Sequence, residues 1–161
     1  MLEKIPNYNS TTFVSAAVAS RAFADEWLMF DWKPQYSVHI PSIDGQHQNL
    51  FRIAGELFAA MSAGQGKASL SRILDRLVQY TAVHFAHEER LMRQHHYPDF
   101  LAHQKQHEAL VKQVLKFQAD FEAGSVNMTV QVLTFLKDWL RQHIAESDQK
   151  YAPCLREKSV A

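Results

Sequence analysis

Residues 84–107 read HFAHEERLMRQHHYPDFLAHQKQH. On an α-helix, residues four apart lie one above the other on one face, so His84 and Glu88 can reach a single point in space, and so can His103 and His107. Tyr97-Pro98-Asp99 separates the two pairs, and proline there breaks the helix because it lacks an N–H and pushes its predecessor out of helical conformations. The chain turns back on itself at this break, which brings both pairs to the same end of a helical hairpin. Two histidine-bearing turns that face each other in an apolar core predict a metal site.

Apolar periodicity extends outward from this hairpin in both directions. The helix before the break begins near Ser69 and carries Leu70, Leu74, Leu77, Thr81, His84, Glu88 and Leu91 on one stripe. Ahead of it, a first helix starts near Ser42, read as its N-cap; its stripe runs Ile43, His47, Leu50, Ala54, Leu57 and Met61 until Gly64-Gln65-Gly66 stops it. After the break, a third stripe runs His103, His107, Leu110, Val114, Phe117 and Phe121 and ends at Gly124-Ser125. A fourth runs Thr129, Val132, Leu136, Trp139 or Leu140, and His143, and reaches the neighbourhood of Tyr151 before Pro153. Short turns between helices of similar length make sequential neighbours antiparallel. The expected fold class is therefore all-α, an up-down-up-down antiparallel four-helix bundle with an N-terminal arm.

Residues 1–30 do not share this pattern. Ala17-Val18-Ala19 resembles a signal-peptide cleavage site, but the apolar run around it is short, lacks Leu, and follows a leader in which Glu3 cancels Lys4. An extra N-terminal helix or a partly ordered arm is the expectation. From Trp27 to Pro41 an aromatic-rich extended segment should lie over the core. Lys+Arg and Asp+Glu number 17 each, so no net positive field exists to hold a phosphate backbone, and nucleic acid is not an expected partner. No apolar run approaches the length of a membrane span, and the single cysteine, Cys154, rules out an internal disulfide framework; both fit a cytoplasmic protein without a membrane partner.

The bundle topology tests the ligand candidates. The start of the first helix, the end of the second, the start of the third and the end of the fourth share one end of such a bundle, and His47, His84, Glu88, His103, His107 and His143 all fall in that layer. A buried carboxylate is costly unless it meets a cation or a metal, which sets Glu88 apart from an ordinary core residue. Imidazole and carboxylate without thiolate suit iron, manganese or zinc. Five histidines exceed what one four-coordinate ion needs, so two metals bridged by carboxylate are the natural reading. The Glu-x-x-His spacing of ferritin-like di-iron bundles does not occur on these helices.

Taken in order, Ile43-Asp44-Gly45-Gln46-His47, His84-Phe85-x-x-Glu88-Glu89-x-x-Met92, Tyr97-Pro98-x-x-x-x-His103-x-x-x-His107 and Trp139-Leu140-x-x-His143-Ile144-x-x-x-Asp148-x-x-Tyr151 resemble the hemerythrin family, and within it the bacteriohemerythrins. The resemblance spans about residue 30 to residue 155. It implies a hemerythrin-like di-iron bundle over residues 31–155, an N-terminal extension over 1–30 and a C-terminal tail over 156–161. It further implies two non-heme iron ions in an oxo- or hydroxo-bridged centre. His103, His107 and His143 would hold one iron, His47 and His84 the other, and Glu88 and Asp148 would bridge them. Only the resemblance selects Asp148. It lies five residues from His143, about 140° round an ideal helix, whereas Glu146 at three is nearer the same face, so the helix would have to be irregular there.

Reversible binding of dioxygen as a carrier, store or delivery protein is the function the resemblance implies, rather than enzymatic turnover. A sensor of oxygen or nitric oxide acting through the arm, and a di-iron peroxide or nitric oxide reductase, are the alternatives on the same ligand set. Reversibility demands a dry pocket, for which Leu50, Phe51, Phe85, Trp139, Leu140 and Ile144 are available, with Trp32 packing over the site from the arm; by likeness to the family Leu140 would line the oxygen pocket. A monomer or weak oligomer is expected. His87, His95 and His96 are expected to face solvent or to act behind the ligands, and Glu89 to be a surface or hydrogen-bonding residue. His39 stands where the resemblance leads one to expect a small residue.

Overall fold

The computed structural model describes residues 30–125 and 130–158; of residues 1–30, on which the arm or extra helix was expected, the first 29 lie outside them. Four helices form the bundle: α1 is Pro41–Ser62, α2 is Lys67–Gln94 and α3 is Phe100–Glu122. The fourth, α4, runs without a break through an α-helical Val130–Gln142, a π-helical His143–Asp148 and an α-helical Gln149–Arg156. Among the described residues no helix is long and apolar enough to cross a membrane.

Helix starts follow proline and glycine rather than serine. Pro41, not Ser42, opens α1: its φ is already helical, and the N–H it lacks would have had no intrahelical partner. Ile40 flanks it, and Ser42 sits within the first turn instead of capping it. Likewise α2 begins at Lys67 behind Gly66, two residues ahead of Ser69. The first three helices end alike, with one left-handed residue after which the next N–H reaches back five positions. Gly64 and Gly124 take that conformation at φ 66° and 73°, as glycine does without cost, while α2 uses His96 at φ 54°. The returning bonds are Gln65 N to Ala60 O, Tyr97 N to Met92 O and Ser125 N to Asp120 O, each 2.9 Å.

Pro153 does not end the last helix. Its missing N–H forfeits one intrahelical bond, a cost of about 3 kcal/mol in a helix interior. Tyr151, Ala152 and Leu155, however, are fully enclosed around it, and burial of a side chain such as Leu155 returns about 1.5–3 kcal/mol. Packing therefore carries α4 to Arg156.

Most described residues of the stripes read from the periodicity are buried, while Met61, Thr81, Phe117 and Trp139 are half-buried. Ile43, Leu50, Ala54 and Leu57 of α1, Leu70, Leu74 and Leu77 of α2, Leu110, Val114 and Phe121 of α3 and Leu136 and Leu140 of α4 are all in the core. The core has two parts. A long one includes Leu50, Phe51, Leu77, Phe85, Leu110, Leu140 and Ile144, and a small one at one end includes Val38, Ile43, Met92, Tyr97, Tyr151 and Leu155. His47 lies between the two on α1, Glu88 on α2 and His143 to Asp148 on α4. A polar layer thus sits between two apolar plugs.

The segment before α1 lies over the core, as expected, but is not fully extended: Pro34–Tyr36 forms a 3₁₀ turn. Tyr36 is buried and stacks on Phe51 with ring centroids 5.1 Å apart. Arg141 Nε donates to Tyr36 Oη at 3.0 Å, and Gln149 Nε2 to Ser37 O at 3.1 Å, which ties the segment to α4. Asp44 fastens it to α1 by accepting from Ser37 Oγ at 2.6 Å and Val38 N at 2.8 Å. Between these anchors His39 takes φ 58°, a left-handed conformation that brings Cβ against the backbone and costs about 1–2 kcal/mol. His39→Gly should therefore stabilise the fold by about 1 kcal/mol, seen as a melting temperature higher by about 2–4 °C. A lower one would mean that the contact of the ring with Ser37 Oγ, 3.3 Å away, outweighs the strain.

Candidate metal centre

All seven residues expected to hold metal converge. His47, His84, Glu88, His103, His107, His143 and Asp148 are each at most 4% exposed. Their inward atoms form two groups that share the carboxylates. On one side, His107 Nε2 lies 3.3 Å and His103 Nε2 3.9 Å from Glu88 Oε2, while His143 Nε2 lies 3.2 Å and His103 Nε2 3.4 Å from Asp148 Oδ1. On the other, His47 Nε2 lies 3.4 Å and His84 Nε2 3.6 Å from Glu88 Oε1, and His47 Nε2 lies 3.3 Å from Asp148 Oδ2. Each carboxylate therefore turns one oxygen to each group. Donors bound to one ion at about 2.1 Å would stand about 3 Å apart at right angles, close to these spacings.

The π-helical turn explains Asp148. In α-helical geometry it would diverge from His143, but a turn with i→i+5 bonding widens the helix and brings residues five apart onto one face. Glu146 is exposed there and accepts from Gln142 Nε2 at 3.3 Å.

The chemistry of the donors fits a metal. Both nitrogens of His47, His103 Nε2, Glu88 Oε2 and both oxygens of Asp148 are buried without a hydrogen-bond partner among the described residues. Each such orphan costs about 1–3 kcal/mol, and a cation at their centre would satisfy the five that point inward. Burial holds the imidazole of His84 at a pKa of about 3 and that of His143 at about 2, so both are neutral, as ligands must be. Burial opposes the charge on Glu88, yet the histidines around it, His84 foremost, hold its carboxyl well below the usual range. Burial and the charge of Glu88 push Asp148 up to about 7. Burial would depress His47 too, but the carboxylates of Asp148 and Glu88, 3.3 and 3.4 Å from its Nε2, raise it to about 9. In the metal-free chain a proton on His47 thus partly neutralises the two carboxylates.

Behind the ligands stand three residues that periodicity did not single out as site residues. Gln46 Oε1 accepts from His84 Nδ1 at 3.0 Å, and Glu89 Oε1 accepts from His107 Nδ1 at 3.0 Å. With Nδ1 donating outward, each ring turns its Nε2 lone pair inward. Tyr151 donates from its hydroxyl to Glu88 Oε1 in a buried hydrogen bond. The available signal was adjacency: Gln46 precedes His47, Glu89 follows Glu88, and Tyr151 lies one helical turn after Asp148. Of the remaining histidines, His87 is half-buried, 3.4 Å from Ser42 Oγ and 3.1 Å from Arg90 Nη2, and His95 and His96 belong to the end of α2. Cys154 is half-buried, with His95 O 3.9 Å from its Sγ.

The apolar surroundings are continuous. Leu50, Phe51, Phe85, Leu140 and Ile144 are buried, and Trp32 and Trp139 are half-buried against the same core. Trp139 stacks on His143 with centroids 4.4 Å apart, Phe85 on His107 at 3.6 Å, and Trp32 lies 6.4 Å from His47. Trp139 and Leu140 also border an apolar cavity of about 20 Å³ with Leu77, Val78, Thr81, Leu110, Val111, Val114 and Leu136. Thr81 donates its hydroxyl to Leu77 O at 2.8 Å, so no free donor lines the cavity from there.

Comparison with known proteins gives the same picture. A family model described as the hemerythrin HHE cation-binding domain matches residues 38–155. The bacteriohemerythrin of Stenotrophomonas maltophilia is 35% identical over 75% of this chain and 78% of its own length. That of Methylococcus capsulatus is 31% identical over 75% of this chain and 92% of its own. A crystal structure of wild-type hemerythrin superposes with a TM-score of 0.72 at 31% identity, covering 78% of this chain and 96% of that one. Sequence match, helix arrangement and the buried histidine and carboxylate layer coincide on one stretch, and on that ground the chain belongs to the hemerythrin family.

Proposed function

We propose that the chain reversibly binds dioxygen at a pair of non-heme iron ions, acting as a carrier, store or delivery protein rather than an enzyme. The observation that carries this reading is the sharing of Glu88 and Asp148 between two histidine groups, because one carboxylate oxygen per group is what a bridged metal pair requires. His103, His107 and His143 would hold one ion and His47 and His84 the other, with Glu88 and Asp148 bridging. When bound, the iron pair supplies two electrons to dioxygen and recovers them when the gas leaves.

The chain's own residues do the rest. The His47 and His84 group offers one imidazole fewer, so room for the gas lies on that side. Leu50 and Phe51 follow His47 by about one turn and, with Phe85, Leu140 and Ile144, exclude the water that would make the electron transfer irreversible. Trp32 covers His47 from the segment before α1. Tyr151 orients Glu88 by donating to it, and Gln46 and Glu89 hold the rings of His84 and His107. Equal numbers of positive and negative side chains give no reason to expect nucleic acid.

The test is an optical titration of the anaerobically reduced, iron-loaded protein with oxygen, followed by removal of the gas. A visible charge-transfer band that grows with oxygen and disappears on its withdrawal is the expected result. Immediate conversion to a stable di-ferric spectrum, with no recovery, would refute reversible binding.

A further inference from the structure

Two imidazoles at the site are backed by side chains of different charge. His107 Nδ1 donates to the carboxylate of Glu89 and His84 Nδ1 to the amide oxygen of Gln46, each at 3.0 Å. Glu89 is held in place: its other oxygen accepts from Gln104 Nε2 at 3.0 Å, and Arg93 Nη2 stands 3.7 Å from it. It also lies on the wall of an open groove of about 510 Å³ between α2 and α3, where Phe85, Ala86, His107 and Val111 are neighbours. The outer edge of His107 faces that groove, and Glu89 occupies it with a fixed acceptor. Phe85 covers one face of the ring, the two planes within 4° of parallel.

A carboxylate acceptor draws the Nδ1 proton outward and gives the imidazole anionic character, which makes Nε2 a stronger donor to metal; an amide does so much less. We propose that Glu89, set against Gln46, makes the two halves of the iron pair unequal, holding the half bound by His103, His107 and His143 more firmly and favouring its oxidised state. Glu89 is a positioning residue in this arrangement, acting through His107 on the metal. The inference rests on the iron-pair reading above. On the other side His84 has a neutral amide behind it and His47 Nδ1 has no hydrogen-bond partner among the described residues, so neither imidazole of the half with room for the gas would be backed by a carboxylate.

The experiment compares the iron-loaded wild type with Glu89→Gln and the reciprocal Gln46→Glu, at one pH. Glu89→Gln should move the oxidation equilibrium about tenfold toward the reduced pair, which is 59 mV for one electron, and should speed loss of iron to a chelator about tenfold. Gln46→Glu should move the potential the opposite way. Potentials unmoved in both variants, or moved in the same direction, would overturn the proposal, because a merely structural role has no reason to give opposite signs. A wild type that takes up no iron pair would instead refute the reading on which the proposal rests.

Discussion

Asp148→Asn is expected to lose the iron pair, while Glu146→Ala keeps both ions. Asparagine conserves the volume of the side chain and removes the charge, so the π turn can persist while one of the two shared anions is gone. A ligating group matters at least as much as the partners behind it, whose loss typically costs 10–100-fold in metal affinity; a reduction of about 100-fold or more is expected here. Asp148 is fully buried and neither of its oxygens has a hydrogen-bond partner among the described residues, whereas Glu146 is exposed and bonded to Gln142. Iron per chain after desalting, read beside the far-ultraviolet circular dichroism, checks the result. A variant Asp148→Asn that retains two ions, or a Glu146→Ala protein that loses them, would sink the proposed ligand set.

Iron loading should raise the melting temperature by about 8–16 °C. A ligand present at a thousand times its dissociation constant stabilises the folded state by about 4 kcal/mol, and each kcal/mol shifts a domain of this size by about 2–4 °C. Calorimetry under anaerobic conditions with and without ferrous ion checks it. The gain should also widen with pH. His47 in the metal-free fold is raised from 6.5 to about 9, so the stability it contributes is complete below its unfolded value and is lost as pH climbs through 9. Asp148, raised from 3.8 to about 7, works in the same direction, because its ionisation is disfavoured only in the folded metal-free chain. Metal removes both penalties by taking the place of the proton. A gain that shrinks between pH 6.5 and 9 would contradict the view that a proton on His47 partly neutralises the two carboxylates when metal is withheld.

Much of this was legible without coordinates, because the constraints were periodic. A helix repeats every 3.6 residues, so four stripes of apolar residues fixed four faces, and the short turns fixed their order. Histidines standing on those stripes at matching ends had to meet. Glu88 was legible for the same reason, since a carboxylate in line with Leu77 and His84 has no apolar alternative. The helix limits were less so: Pro41 opens α1 and Pro153 fails to close α4, since burial around Tyr151 and Leu155 outweighs a local preference that periodicity cannot weigh against it.

What only the tertiary structure decided concerns directions that periodicity misassigns or does not contain. Asp148 faces His143 because six residues of α4 adopt π geometry, and a local change of helical pitch leaves no mark on residue spacing read at 100° per residue. The hydrogen bonds of Gln46 to His84, Glu89 to His107 and Tyr151 to Glu88 join positions 38, 18 and 63 residues apart. The amino-acid sequence alone therefore determined that a layer of histidines with Glu88 lies at one end of a four-helix bundle; the second, smaller apolar plug beyond it is visible only in the fold. Which oxygen of each carboxylate turns to which histidine, and what stands behind each ring, follows from how the helices rotate against one another when their side chains pack, and only the folded chain holds that information.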